Sequence, residues 1–269
     1  MTHFICMTCG VQFAALEEPP RVCPICQDER QYVGWKGQRW TTLEALQKDY
    51  QNVVKPVEPG LTGIGTTPSF GIGQRALLVQ SKQGNVLWDC ISLIDQATIE
   101  AVEALGGISA IAISHPHLCA AMVEWSHAFD APIYLHADDQ AHVMRPDPAI
   151  TFWQGETFPL NDEVTLIRCG GHFAGSSVLH WAGGAEGQGA LLTGDTIMVV
   201  QDRRYVSFMY SYPNLLPLSA SAVRRIASAV EPFAFERLYG GWWDKIVDSG
   251  AKTAVATSAE RYIQLITKS

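Results

Sequence analysis

The stretch Ile111-Ala112-Ile113-Ser114-His115-Pro116-His117-Leu118-Cys119 runs from an apolar, strand-like segment into two histidines one residue apart. On an extended backbone that alternation sets both imidazoles on one side, close enough to share a metal ion. Neutral imidazole is the commonest protein ligand for zinc and also suits iron and copper. Most histidine pairs are plain surface or core residues. This one is set apart by its place directly after a buried-type strand, with ligand-type residues downstream in glycine-rich turns: Gly170-Gly171-His172 and Leu192-Thr193-Gly194-Asp195. His136 and Asp138, at another strand end, read as capping or supporting residues, His3, His127 and His142 as surface residues, and His180 as a strand residue with an ordinary partner. Cys90 and Cys169 read as small buried apolar residues, while Cys119 divides between packing and ligation.

A second cluster is made of thiols. Cys6-Met7-Thr8-Cys9-Gly10 and Cys23-Pro24-Ile25-Cys26 are C-x-x-C knuckles separated by thirteen residues, 10–22. Each knuckle can turn its thiolates toward one ion, and Gly10 supplies the permissive backbone such a turn needs. Four thiolates on a short, loop-rich segment make a closed tetrahedral site, whose metal provides stability that so small a unit cannot draw from a core. The segment resembles a zinc ribbon over about residues 3–35. A rubredoxin-like iron site usually shows glycine after both knuckles, whereas Gln27 follows Cys26, and a thioredoxin-like redox pair lacks its helix-and-sheet context here. Zinc is therefore preferred at Cys6, Cys9, Cys23 and Cys26.

Bulk properties narrow the setting. With 269 residues, 47% hydrophobic and 17% charged, the chain can bury a sizeable core. A formal charge of −8 argues against a phosphate-backbone binder, so nucleic acid is not the expected partner, and a small molecule is. The start, Met1-Thr2-His3-Phe4-Ile5-Cys6, has no basic region followed by an apolar run, and no apolar segment is long enough to span a bilayer. Four of seven cysteines in two tight pairs, without an export signal, read as metal ligands in a reducing cytoplasm rather than disulfides. Oligomeric state is not legible.

The elements that must position these residues follow from capping and periodicity. Thr41 or Thr42 caps a short helix with Leu43 and Leu46 on one face. Pro56, Pro59 and Gly60 mark a loop, giving a ribbon over 1–36, a linker over 37–59, and a main domain over 60–269. Strands over 76–81 and 86–90 flank a turn at Gly84-Asn85. Asp95 caps a helix running to Leu105 and closed by Gly106-Gly107. A strand over 108–113 delivers the histidine pair, a helix covers 120–129, and a strand covers 131–136. The second half repeats the theme, with strands over 164–169, 178–181, 189–195 and 237–239 and helices over 219–230 and 251–266. Trp35 and Trp40 are expected to cover an apolar surface between ribbon and main domain. The aromatic loop 208–217 reads as a pocket lining for an apolar acyl or aryl group, or as a packed surface crossing. Two βαβ-containing halves with ligands at strand ends imply a two-sheet α/β sandwich with outer helices and the site along one edge.

Taken together, His115-Pro116-His117, Gly170-Gly171-His172 and Thr193-Gly194-Asp195 resemble the metallo-β-lactamase superfamily over roughly residues 60–269. The resemblance implies a four-layer αβ/βα sandwich and hydrolysis by one or two bound metals. It makes His115, His117 and His172 the ligands of a first metal and Asp195 the carboxylate that usually bridges to a second. The family's first motif, H-x-H-x-D-H, is broken: Cys119 stands for its Asp and Ala120 for its last His. Where a final His is expected after the last strand, Gly240-Gly241 leads to Trp242, and Trp242-Trp243 would face the same cavity. Three histidines plus an open position imply a mononuclear zinc hydrolase of an ester, thioester, lactone or amide, with iron or manganese as other occupants and Asp195 as fourth ligand or proton acceptor. Two rivals stay open. One is a di-iron, rubredoxin-type redox protein, against which stands the lack of the ligand Glu that such relatives carry. The other is a degenerate metal-binding scaffold.

Overall fold

From Arg75 to Val79 every residue is buried, and alternate side chains serve different cores: Ala76 and Leu78 lie under helices, Leu77 and Val79 face a second sheet. That pattern marks a sheet covered on both sides. The structure is a computed structural model and describes residues 1–268. Its first sheet has seven strands in chain order: β1 (Gln51–Glu58), β2 (Leu61–Thr67), β3 (Arg75–Val79), β4 (Val86–Trp88), β5 (Ala110–Ala112), β6 (Ile133–His136) and β7 (Ile150–Trp153). Strands β1 to β4 pair antiparallel, and β4 to β7 pair parallel. Helix α1 (Leu43–Asp49) precedes the sheet, while α2 (Gln96–Glu103) and α3 (Met122–Phe129) make the crossovers. Both expected caps are present: the Thr42 hydroxyl accepts from Ala45 N–H and the Asp95 carboxylate from Thr98 N–H.

The second sheet has six strands, again in chain order: β8 (Thr157–Pro159), β9 (Val164–Arg168), β10 (Ser177–Trp181), β11 (Ala190–Gly194), β12 (Arg237–Gly240) and β13 (Ile246–Val247). Its outer face is covered by α4 (Ala220–Val230) and α5 (Ala251–Thr267) through Val223, Ile226, Val230, Val255 and Ala259. Between the sheets lie Trp88, Trp153, Leu166, Leu179, Trp181, Leu192 and Tyr239. Three apolar layers separate four layers of structure, and the αβ/βα sandwich expected from the sequence is the fold. Among the described residues, no helix is long and apolar enough to cross a membrane.

Two boundaries move. Strand β1 occupies 51–58, inside the segment expected as linker. Lys55 and Pro56 obscure its alternation, and Pro56 is tolerated because β1 is an edge strand with one unpaired side. At the amino terminus Ile5–Cys6 pairs with Trp40–Thr41, so the ribbon is closed by a strand beyond residue 36. Trp40 packs edge-on against Phe13 within the ribbon, and Trp35 is fully exposed rather than covering an interface. The ribbon instead joins the sandwich through an apolar cluster, in which Ile5 and Met7 pack with Leu46, Phe70 and Leu93, and through polar contacts: Gln12 N–H to Ala120 O at 3.0 Å, Ala14 N–H to Met144 O at 3.0 Å, and Ser92 Oγ to Gly10 O at 2.7 Å.

Candidate metal centre

His115 leaves β5 on an extended backbone (φ −170°, ψ 170°), but Pro116–Leu118 then winds into a 3-10 turn. Two imidazoles alternating along one extended strand were expected, and this corrects it. Proline presets φ and has no N–H to lose at the first position of a helical turn. His117 therefore returns toward His115 across the turn, with ring centroids 5.2 Å apart. Asp89, just after β4, organises the loop. Its Oδ1 accepts Ser114 N–H at 2.8 Å, its own N–H donates to Ala112 O at 2.8 Å, and Cys90 N–H donates to Leu118 O at 3.1 Å. It does so at φ 61°, uncommon for a residue with a side chain, and burial pushes its carboxyl up to about 7. Sequence reasoning passed over Asp89; an acid at a strand end, as at Asp195, was the available signal.

His172 follows β9 in its glycine turn and Asp195 follows β11. Between β11 and the His115 loop there is no room for a side chain: a Cβ on Gly194 would lie 2.6 Å from Ser114 Oγ, and φ there is +51°. Glycine permits both the approach and the angle.

The four predicted residues converge. One ligand atom from each lies within 4.8 Å of the others, and all four residues are buried. His172 Nε2 is 3.2 Å from His117 Nδ1, and Asp195 Oδ2 is 3.4 Å from His115 Nε2 and 3.8 Å from His172 Nε2. A tetrahedral ion with bonds of roughly 2.0–2.1 Å spaces its ligands by about 3.3 Å. The donors thus stand near metal spacing already. His115 Nε2 and Asp195 Oδ1 are buried with no hydrogen-bond partner, as is His117 Nε2. The outward nitrogens are held: His115 Nδ1 meets Ser114 Oγ at 2.8 Å, and His172 Nδ1–H donates to Met209 O at 3.2 Å. The carbonyl fixes the His172 tautomer that leaves Nε2 free for a metal, while the Ser114 hydroxyl orients the His115 ring. Burial, reinforced by the neighbouring imidazoles, holds His117 well below the usual histidine range and His172 at about 4. Burial pushes Asp195 up, but the His115 contact outweighs it and keeps the carboxyl below its usual range. Neutral imidazoles beside a carboxylate are a donor set that suits zinc.

The thiol cluster fits a metal equally well. All four sulfurs are buried, with Cys6 Sγ 3.6 Å from Cys26 Sγ and Cys9 Sγ 3.7 Å from Cys23 Sγ. Zinc–sulfur bonds of roughly 2.3 Å give a tetrahedral edge of about 3.8 Å. Contact with Cys23 and Cys26 pulls the Cys6 thiol far below its usual range and pushes Cys9 up.

Other candidates sort plainly. Cys119 lies in the core under the first sheet, outside the ligand group, with burial pushing its thiol up, so its packing role is the one observed. Cys90 and Cys169 are core residues as expected. Ala120 adopts φ 43°, and Trp242 Nε1 donates to Ile72 O. Trp243 lies across β2, where a Cβ on Gly63 or Gly65 would fall within 2.8 Å of its ring. His136 Nδ1 accepts Asp138 N–H at 3.1 Å, the capping role expected. His127 is exposed beside Asp147 and His180 meets Ala234 O. His142 departs from its surface reading: its Nδ1 is buried and its ring packs 5.1 Å from Phe173. In the aromatic loop, Met209–Ser211 pairs with Leu216–Pro217 and crosses between ribbon and site.

A scan against protein-family models finds no match. The chain is 52% identical over 268 residues to YmaE of Bacillus subtilis (strain 168), described as an uncharacterized protein, covering 99% of this chain and 97% of YmaE. Among solved structures, VMB-1 superposes with a TM-score of 0.60 at 12% identity over 81% of this chain and 99% of that one. The DIM-1 metallo-β-lactamase superposes with a TM-score of 0.58 at 14% identity, over 78% of this chain and 98% of that one. The chain belongs to the family of YmaE, and its fold is that of the metallo-β-lactamases.

Proposed function

We propose that the chain is a metal-dependent hydrolase with one zinc ion held by His115, His117 and His172, its open position beside Asp195, acting on an ester, thioester, lactone or amide. A second, structural zinc is assigned to Cys6, Cys9, Cys23 and Cys26, and the free, buried thiols suit a reducing cytoplasm. One observation carries the reading: four buried ligand-type side chains converge at metal spacing, and His115 Nε2, His117 Nε2 and Asp195 Oδ1 among them have no protein partner. Leaving such an atom unpaired costs roughly 1–3 kcal/mol, which a bound cation offsets.

A divalent ion there supplies a Lewis acid for an acyl carbonyl and lowers the pKa of water toward neutrality. The protein groups do the rest. Asp195 is held ionised with Oδ2 toward the histidines and Oδ1 free, so Oδ1 can take a proton from water. Tyr212 OH donates to Asp195 O at 2.9 Å and fixes the end of β11. Met209 keeps His172 in the ligating tautomer, and Ser114 orients the His115 ring.

Elemental analysis of protein purified without added metal tests the assignment. About two zinc ions per chain are expected, falling to one in His115→Ala, together with hydrolysis of some ester or thioester that His115→Ala abolishes. One zinc per chain, unaffected by His115→Ala, sinks the hydrolase reading in favour of a scaffold. Iron in its place favours the redox reading.

A further inference from the structure

The segment just after the second knuckle touches both metal sites. The helical turn Pro24–Gln27 carries Cys26, and Asp28 N–H closes it by donating to Pro24 O at 3.1 Å. Asp28 then grips Arg30 three times, through the Arg30 N–H at 2.9 Å, Nε at 2.6 Å and Nη2 at 2.7 Å. So held, Arg30 reaches the histidine centre: Nη1 donates to His172 O at 3.2 Å, and the guanidinium lies 3.8 Å from the centroid of the Phe173 ring. Its neighbours bind the segment 209–214. Asn214 Nδ2 donates to Glu29 O and Gln31 O, both at 3.0 Å, Ser211 Oγ donates to Arg30 O at 3.1 Å, and Tyr210 OH donates to the Glu29 carboxylate. The other face of that segment supports the ligands, Met209 O taking His172 Nδ1–H and Tyr212 OH reaching Asp195 O.

We propose that residues 28–31 clamp the histidine centre, with Arg30 as its positioning residue, so that metal in the cysteine site tightens metal binding at the histidine site. The inference rests on the metal reading above. Two arms converge on the same ligands, Arg30 directly on His172 and the 209–214 segment on His172 and Asp195. A ribbon of this size has too little core to hold residues 28–31 in place without its metal. Bidentate pairing with Asp28 offsets the charge of Arg30 beside a cation site while keeping the fork rigid. Binding at the two sites is then linked and reciprocal.

Cobalt(II) titration of the full chain separates the sites, because thiolate ligands give sulfur-to-cobalt charge-transfer absorption and the histidine site gives only d–d bands. Arg30→Ala should weaken cobalt binding at the histidine site about 10- to 100-fold, the range for loss of a supporting contact. Its d–d bands should shift while the sulfur band stays. Arg30→Lys should recover only part, since an ammonium cannot grip Asp28 twice and reach His172 O at once. A histidine-site affinity within about twofold of wild type in Arg30→Ala, with unshifted bands, overturns the clamp alone. Absence of nitrogen-ligated cobalt in the wild type overturns both the clamp and the hydrolase reading.

Discussion

In the proposed metal centre His172 meets two demands at once: it must stay neutral to ligate, and it must point Nε2 inward. Burial serves the first and Met209 O the second. The first has a cost that shows in metal-free protein. With His172 at about 4 when folded and 6.5 when unfolded, the unfolded chain takes up the proton first as pH falls. The contribution of His172 is therefore full above pH 6.5 and falls by about 3 kcal/mol as pH drops toward 4. His117, depressed in the same direction, adds to the loss, whereas Asp195, held below its usual range, contributes only below about pH 4, and Asp89, raised to about 7, opposes the loss. Melting of the metal-free chain at pH 7 and pH 4.5 checks this; a His172→Asn variant should lose less over the same interval, and an equal loss would show that His172 is not the source. Ser114→Ala removes the contact to His115 Nδ1 and should weaken metal binding about 10- to 100-fold while the fold persists, measurable by competition with a chromogenic chelator.

At the scale of elements, the site is a meeting of strand ends with the turns that follow them. The residues that gather at the candidate site were legible in the sequence because a histidine or an acid beside glycine or proline at a strand end is a local pattern. Their geometry was not. Pro116 converts the expected extended alternation into a turn, and Gly194 matters through its approach to Ser114, eighty residues away. Asp89, Arg30 and Tyr212 escaped for the same reason, since each acts through a contact with another element rather than through a motif of its own. Strand β1 escaped because an edge strand can carry a proline that hides its alternation. Gly194→Ala tests how closely the elements must approach. The left-handed angle alone costs roughly 1–2 kcal/mol, and the methyl must also displace Ser114 Oγ. The variant should melt lower and lose metal affinity at the histidine site with the cysteine site still filled. Unchanged affinity would mean that the β11 approach does not set His115.

Viewed as a whole, the molecule is a sandwich stabilised by three apolar layers and a ribbon with little core of its own. Besides its cysteines the ribbon's own cluster holds Val11, Phe13 and Ile25, while Ile5 packs outward against Leu46, Phe70 and Leu93. At about 25 cal/mol per Å2 of apolar surface such a cluster cannot offset the ordering of some forty residues, whereas a structural zinc contributes on the order of 10–16 kcal/mol. The two parts should therefore respond unequally to metal removal. Chelation of the full chain is expected to release backbone amides of the knuckles and of residues 28–31 to hydrogen exchange. Strands β3, β4, β10 and β11, buried between helices and the opposite sheet, should keep their protection. The telling region is 209–214, whose hydrogen bonds are divided between the ribbon and the ligands of the histidine site. If its protection falls with that of the ribbon and returns when zinc is restored, the ribbon holds the wall of the site in place. Protection that persists there after the knuckles have opened would mean that the wall belongs to the sandwich alone, with the ribbon merely attached.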